Sequence, residues 1–329
     1  MRNFSRTVVS IAATLWIAGF QPQTVSAGTI VAWGDDTYNE VSNAPTGSNF
    51  TTIARGGRHN LALTTQGSIV AWGADTVGQV SDAPVEAGFT AISAGLGHSM
   101  ALAGDGSIVS WGNADDGLIL NTPAAAGFIA LAGGDYHSVA LAGDGSIFAW
   151  GDDRFGQISN KPTGNGFTQI AAGAYFSLAL SSDGSIVGWG RNDYGQIFGA
   201  PSGSGFTDIS AGYRHSLALA ADGSIAAWGG VPSSSAPSGA GFTQISGGGY
   251  HSLALAADGS IVSWGNDTSD FGTVGVVSNA PAGTGFVAIG GGDYHSIALT
   301  NIPEPNTALL LGIGMMGLSL KRRRTRRGC

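Results

Sequence analysis

An all-β fold, a seven-bladed β-propeller closed by pairing of its N- and C-terminal strands, is what three features of this 329-residue sequence predict. Tryptophans recur at Trp33, Trp72, Trp111, Trp150, Trp189, Trp228 and Trp264, spaced 39, 39, 39, 39, 39 and 36 residues apart. Such a period marks stacked units, none of which buries its apolar face alone. Glycine supplies 55 residues and charged side chains only 11%, which argues against coiled coils and helical bundles. An apolar content of 43% argues against disorder, so the glycines serve turns in a packed fold. Finally, Asp-Gly pairs beginning at Asp105, Asp144, Asp183, Asp222 and Asp258 separate apolar runs, a strong β-hairpin signal.

The elements follow in chain order. Residues 1–27 read as a secretory signal peptide: Arg2 and Arg6, an apolar run over 8–20, and small residues Val25, Ser26 and Ala27 ahead of Gly28. Residues 28–302 form the propeller of 39-residue repeats. Each unit carries a Phe strand, as in Phe167-Thr-Gln-Ile-Ala-Ala-Gly173, and a His strand, as in His215-Ser-Leu-Ala-Leu219. An Asp-Gly turn then leads to a Trp strand, as in Gly67-Ser-Ile-Val-Ala-Trp-Gly73. A short fourth strand is expected around the Gly-Gln-Ile/Val segment. In Leu217-Ala218-Leu219 the leucines share one face and the alanine takes the other, so each sheet is covered on both sides, large against small. The first Trp strand, 29–34, lacks a preceding partner and the last His strand, 295–299, a following one; their pairing completes a shared blade and removes two exposed edges. Residues 303–329 hold Pro303, Glu304 and Pro305, an apolar run over 308–320 and the basic cluster 321–327. Thirteen apolar residues at about 1.5 Å each fall short of a hydrocarbon core of about 30 Å, so this segment is a marginal membrane span with its basic end in the cytoplasm.

These residues carry a family likeness. Trp189-Gly-Arg-Asn-Asp-Tyr-Gly-Gln196, with Ala211-Gly-Tyr-Arg-His-Ser-Leu-Ala-Leu219, resembles the regulator of chromosome condensation repeat over 28–300. The short 39-residue version is similar to the secreted bacterial β-lactamase inhibitory propellers. That resemblance implies a seven-bladed propeller acting as a binding module, with inhibition of a secreted or periplasmic enzyme such as a β-lactamase as an alternative. Residues 303–328 resemble PEP-CTERM sorting tails, which implies an exosortase-type processing enzyme as partner and a place in the bacterial cell envelope, surface or extracellular matrix.

The charge distribution narrows the function further. Residues 28–302 contain six bases and 21 acids, net −15, which would repel phosphate backbones and argues against nucleic-acid binding. Cys329 is the only cysteine, so no intramolecular disulfide and no cysteine-based metal site can form. All six histidines (His59, His98, His137, His215, His251, His295) share one repeat position, where Phe176 replaces the seventh. A catalytic histidine is normally singular and oriented by its own acid, so these read as structural, neither catalytic nor metal ligands. The pairs Asp35-Asp36, Asp115-Asp116 and Asp152-Asp153, and Asp267 with Asp270, lack the spaced oxygens of a calcium loop and read as turn formers. No nucleophile elbow, phosphate-binding loop or zinc helix occurs, so no enzyme and no cofactor is expected; a hydrolase or lyase on a propeller face is the remotest alternative.

Chain direction assigns a binding face. With the Trp strand taken as upward, the loops after Trp and before His both lie at the top, and the Asp-Gly hairpins at the bottom. The bottom turns barely change from unit to unit, whereas the top loops vary. Those loops hold Tyr38, Tyr136, Phe155, Tyr175, Tyr194, Tyr213, Tyr250, Phe271 and Tyr294, the candidate surface for a protein or polysaccharide partner.

Overall fold

The computed structural model describes residues 27–231, 233–269 and 272–301. The signal-peptide assignment up to residue 26, Phe271, and the tail with Pro303, Glu304 and Pro305 lie outside the described residues. Within them the fold is all-β. Five sheets have three strands each, and a six-stranded sheet consists of two further triples joined by the single pair Gly28–Phe50. Numbering the triples by their central strands gives unit one His59–Thr64, unit two His98–Ala103, unit three His137–Ala142, unit four Phe176–Ser181, unit five His215–Ala220, unit six His251–Ala256 and unit seven His295–Asn301. In every unit the Phe strand pairs on one side of the central strand and the Trp strand on the other.

Unit seven is completed from the other end of the chain. Gly28–Gly34 pairs antiparallel with His295–Asn301 over seven residue pairs, from Gly28–Asn301 to Gly34–His295. The chain thereby closes non-covalently, and two long edges disappear.

The joints between units share one construction, written in the Leu-Ala-Leu pattern. Leu61 and Leu63 of unit one pack on Ala101 of unit two, and Leu217 and Leu219 of unit five on Ala254 of unit six. Ile297 and Leu299 of unit seven pack on Ala62 of unit one, so the last joint matches the others. Each of these large side chains is essentially buried, contributing about 1.5–3 kcal/mol relative to exposure. Only an alanine or residue of similar size opposite lets the neighbouring sheet approach closely enough to exclude voids.

Hydrogen bonds follow the same joints. His59 Nε2 lies 2.8 Å from Ser99 Oγ of the next unit, and His98, His137, His215 and His251 reach Ser138, Ser177, Ser252 and Ser296 at 2.7–2.8 Å. Ser99 Oγ donates onward to the Gln79 carbonyl, so the imidazole Nε2–H is the donor to the serine. The belt closes where His295 Nε2 donates to Asn60 Oδ1 at 2.7 Å; Asn60 stands in the serine's place and donates to the Glu40 carbonyl. At unit four the buried ring of Phe176 fills the imidazole's volume. A glycine three residues before each ring permits the packing: a Cβ on Gly95 would lie 2.3 Å from His98 Cε1 and 2.2 Å from the Gly134 oxygen.

At the outer edge, the indoles of Trp72, Trp111, Trp189 and Trp228 donate to the carbonyls of Glu40, Gln79, Gln157 and Gln196 at 2.8–3.1 Å. These residues belong to the Gly-Gln segment, Asn39-Glu40 in the first copy, which is a turn and not the fourth strand its sequence suggested. Its amides are consumed locally: Asp75 Oδ1 accepts from Val80 N and Ser81 N, Gln79 Oε1 from Val77 N, and Gly78 O from Asp82 N. With these four amides taken, the segment turns instead of joining a ladder. Trp264 is the exception; after the three-residue shortening beyond Trp228, its buried Nε1 has no hydrogen-bond partner among the described residues.

Two expectations follow. Deleting residues 28–34 strips unit seven of its third strand and of buried Trp33, and should lower stability by several kcal/mol in denaturant unfolding. An unchanged midpoint would contradict closure by the ends. The second concerns acid. Burial holds the histidines neutral, with pKa values lowered to about 3, or about 4 for His137, against 6.5 when unfolded. The unfolded chain therefore binds the extra protons, so stability is full above pH 6.5 and drains as pH falls toward the folded values. His98→Phe, copying Phe176, should flatten that slope by about 1.4 kcal/mol per pH unit, read from melting curves across the range.

Candidate binding face

Strand register fixes which loops share an end. Gly73 pairs with His59 and Gly34 with His295, while Leu63 pairs with Ile69 beside the hairpin turn. The loops after Trp and before His therefore meet at one end, stitched by Asp35 N donating to the Tyr294 carbonyl, Ala74 N to Arg58 and Asp152 N to Tyr136, each at 2.8 Å. The Asp-Gly turns occupy the other end, where Asp144, Asp183, Asp222 and Asp258 each accept from the amide and hydroxyl of the serine two residues on.

The structure brings most of the aromatic residues into two stacked groups. Tyr136 and Tyr175 stack at 4.8 Å between centroids, and Phe155 meets Tyr175 edge-on at 5.2 Å. Tyr250 stacks between Tyr213, at 5.8 Å, and Tyr294, at 5.3 Å. Tyr38 and Tyr194 stand apart, each beneath an arginine. Phe155 and Tyr194 are 39% and 41% exposed, whereas the stacked tyrosines are half-buried, each ring leaning on its neighbour in the next unit. Burial raises the Tyr136 and Tyr213 hydroxyls above the usual tyrosine range.

Tyrosine counting alone misses the arginines. Arg214 lies over Tyr194 at 4.6 Å and Tyr213 at 5.1 Å; Arg191 over Phe155 at 4.8 Å; Arg154 over Tyr175 at 5.7 Å; Arg58 over Tyr38 at 5.1 Å. Asp152 and Asp193 hold two of them, at 2.8 Å from Arg154 and 2.6 Å from Arg191. Arg58 donates to the Tyr38 hydroxyl, and the buried Arg214 Nε has no hydrogen-bond partner among the described residues. A signal was available in the sequence: of the six bases in 28–302, all but Lys161 fall in the same two loop positions as the aromatics or immediately beside them. A net −15 body thus gathers its cations and rings at one end, a combination suited to stacking and charge-assisted contacts.

The Phe strands surround the axis, and at its top end a small recess, with room for about one water molecule, opens among the pre-His loops. Arg55, Asp135, Tyr213 and Asp293 line it, with glycines between them. Arg55 Nη2 donates to the carbonyls of Gly247 and, at 3.4 Å, Ala211, across the axis from its own strand. Burial, reinforced by the nearby Asp293, pushes Asp135 up to about 8. Among the described residues no three His, Cys, Asp or Glu side chains converge as a metal site.

A carboxyl raised from 3.8 to about 8 destabilises the fold increasingly as pH climbs between those values, because only the unfolded chain ionises freely there. Asp135→Asn should therefore raise the melting temperature at pH 8 and leave it nearly unchanged at pH 4. Equal effects at both pH values would contradict a raised carboxyl.

Comparison with known proteins follows the same geometry. Residues 301–324 match the PEP-CTERM protein-sorting motif, which indicates export to the bacterial envelope or surface. No curated protein matches the chain in sequence. Prp20p from Saccharomyces cerevisiae, a structure described with its binding to Gsp1p and histones, superposes with a TM-score of 0.70 at 20% identity, covering 89% of this chain and 96% of that one. Human WBSCR16 gives 0.66 at 16% identity, over 84% and 99%. The ectodomain of the Physcomitrella patens receptor kinase CR4 gives 0.62 at 25% identity, over 78% and 71%. None of these is a β-lactamase inhibitor. The regulator of chromosome condensation (RCC1) repeat profile matches residues 50–79, 89–117, 128–157, 167–196, 206–230 and 242–272, more than half of the chain, so this protein belongs to the RCC1-repeat family.

Proposed function

We propose that the protein is an exported, envelope-associated binding module, a seven-bladed propeller that holds a protein partner on its tyrosine–arginine face and performs no chemistry of its own. The confinement of the stacked aromatics and their arginines to one end carries this reading. Tyrosine offers large contact area at low conformational cost, and arginine over a ring is already oriented for a partner. Seven like joints around one axis, the seventh made by the chain ends, support the blade count. A protein ligand is favoured over a polysaccharide because structural neighbours bind proteins: Prp20p binds Gsp1p and histones, and yeast RCC1 is found bound by Kap60. The residue 1–27 leader delivers the chain to the exosortase route, and the segment from Pro303 retains it at the envelope until processing.

The test is affinity capture from an envelope fraction with the purified full chain, compared with a Tyr136→Ala/Tyr250→Ala/Tyr294→Ala variant. Capture should disappear while melting falls by only a few degrees, since each lost stack is worth about 0.5–1.5 kcal/mol. Persistence of capture in that variant, or its loss on changing Asp105 and Asp144 at the opposite end, would sink the assignment. A captured glycan in place of a protein would overturn the choice of partner.

A further inference from the structure

The closing strand pair fixes where the chain enters and leaves the propeller. It runs from Gly34–His295 at the ring end to Gly28–Asn301 at the hairpin end. Asn301 N donates to the Gly285 carbonyl, and Phe286 N donates to the carbonyl of Gly259 in the Asp258-Gly259 turn, so the exit lies beside that hairpin. Gly28 is buried there, and a Cβ on it would collide with the Thr300 oxygen, so entry and exit stand side by side. The leader up to residue 27 and the tail from residue 302 therefore both attach to the hairpin end, opposite the stacked aromatics.

The link from this exit to the apolar tail is short. Six residues, 302–307, precede the apolar run over 308–320, and a link of that length spans at most about 20 Å. Strands of six or seven residues carry the ring end about 20 Å above the hairpin end. Asn301 ends a central strand, and the strand 28–34 lies outside it by about 4.8 Å. A link that rounded this outer strand with its side chains and then climbed to the ring end would need about 30 Å. Surface charge adds no pull of its own. The hairpin end carries exposed Asp105, Asp144, Asp183, Asp222 and Asp258, which hydrogen bonds from the following serines hold below the usual carboxylate range. The link, and not attraction to anionic headgroups, therefore sets how the propeller stands.

We propose that, while the tail holds the membrane, the propeller stands with its hairpin end toward the bilayer and presents the tyrosine–arginine face to a protein approaching from the far side. The inference rests on the tail retention and the face assignment of the proposed function, and adds the direction in which that face points. Lipid headgroups are excluded as ligands of the rings, because the height of the strands keeps the two apart. A protein lying flat in the same bilayer is out of reach for the same reason, whereas one that extends from beyond the membrane meets the face directly.

The experiment places one donor dye at a time on the tail-bearing chain, purified from membranes and reconstituted in phosphatidylcholine nanodiscs with an acceptor dye on some headgroups. Cys329→Ser removes the native thiol, and Ser182→Cys, Ala257→Cys or Thr76→Cys supplies a new one. The first two sites are exposed at the hairpin end, in different units, and the third is exposed at the ring end. Each variant should melt cooperatively near the parent temperature, showing that it folds. Energy transfer from positions 182 and 257 should exceed that from position 76 about twofold or more, given the strand height of about 20 Å. Equal transfer from all three, strongest transfer from position 76, or strong transfer from position 257 alone, which marks a propeller lying on its side, would overturn the proposal. So would a chain that does not stay with the nanodiscs. Inserting about twenty Gly-Ser residues after Ile302 should abolish the difference, because a flexible link of that length reaches past the ring end. A difference that survives the insertion overturns the link as its cause. Partner capture separates the two readings. A chain standing on its hairpin end that fails the tyrosine test overturns the face assignment alone, whereas intact capture with the ring end on the bilayer overturns the orientation alone.

Discussion

Every joint in this protein sets a pair of large aliphatic side chains against one small one. Leu61 and Leu63 meet Ala101, Val139 and Leu141 meet Ala179, and Ile297 and Leu299 meet Ala62. A strand with Leu-Ala-Leu presents a bulky face to one neighbour and a shallow face to the other, so identical units stack in one direction without voids. Because the rule applies equally at the last joint, the stack has no end that needs a cap. The wrap of residues 28–34 onto His295–Asn301 lets the same rule operate there.

The polar belts depend on that packing. With the sheets at this separation, imidazole Nε2 reaches the next unit's serine hydroxyl and indole Nε1 reaches the turn carbonyl. Each bond is worth about 1 kcal/mol, but breaking one strands a buried partner at higher cost, so the belts enforce register more than they add stability. Departures from the pattern show which constraint dominates. Phe176 replaces a hydrogen bond by volume and stays buried, and Trp264 keeps its place without a carbonyl among the described residues. Shape is kept at both positions while the hydrogen bond is given up.

A scaffold held at every joint leaves its loops free to differ. The hairpin end repeats an Asp-Gly-Ser turn, with Gln66 in the aspartate's place in unit one, whereas the opposite end carries stacked tyrosines, arginines poised over them, and a small axial recess lined by Arg55, Asp135 and Asp293. Rings half-buried between units are rigid, which lowers the entropy lost when a partner is bound. The rim rings and the axial carboxylates come from adjacent residues: the ring lies one position before the histidine in units three and seven, and the carboxylate two positions before it.

The period of 39 residues, the Asp-Gly hairpins and the alternation in Leu-Ala-Leu determined the all-β architecture, the unit boundaries and the closing strand pair, because all of these are local patterns of size and turn chemistry that repeat in register. Chain direction likewise determined which loops share an end. Only the tertiary structure decided that the Gly-Gln segment is a turn, since its amides are claimed by Asp75 and Gln79 side chains whose reach depends on the folded loop. It alone placed Arg55 on carbonyls of units five and six, set Arg191 over Phe155, and brought Asp135 and Asp293 to one recess from positions more than 150 residues apart. Spacing along the chain carries no information about what meets across an axis; that proximity exists only once the last unit has packed against the first.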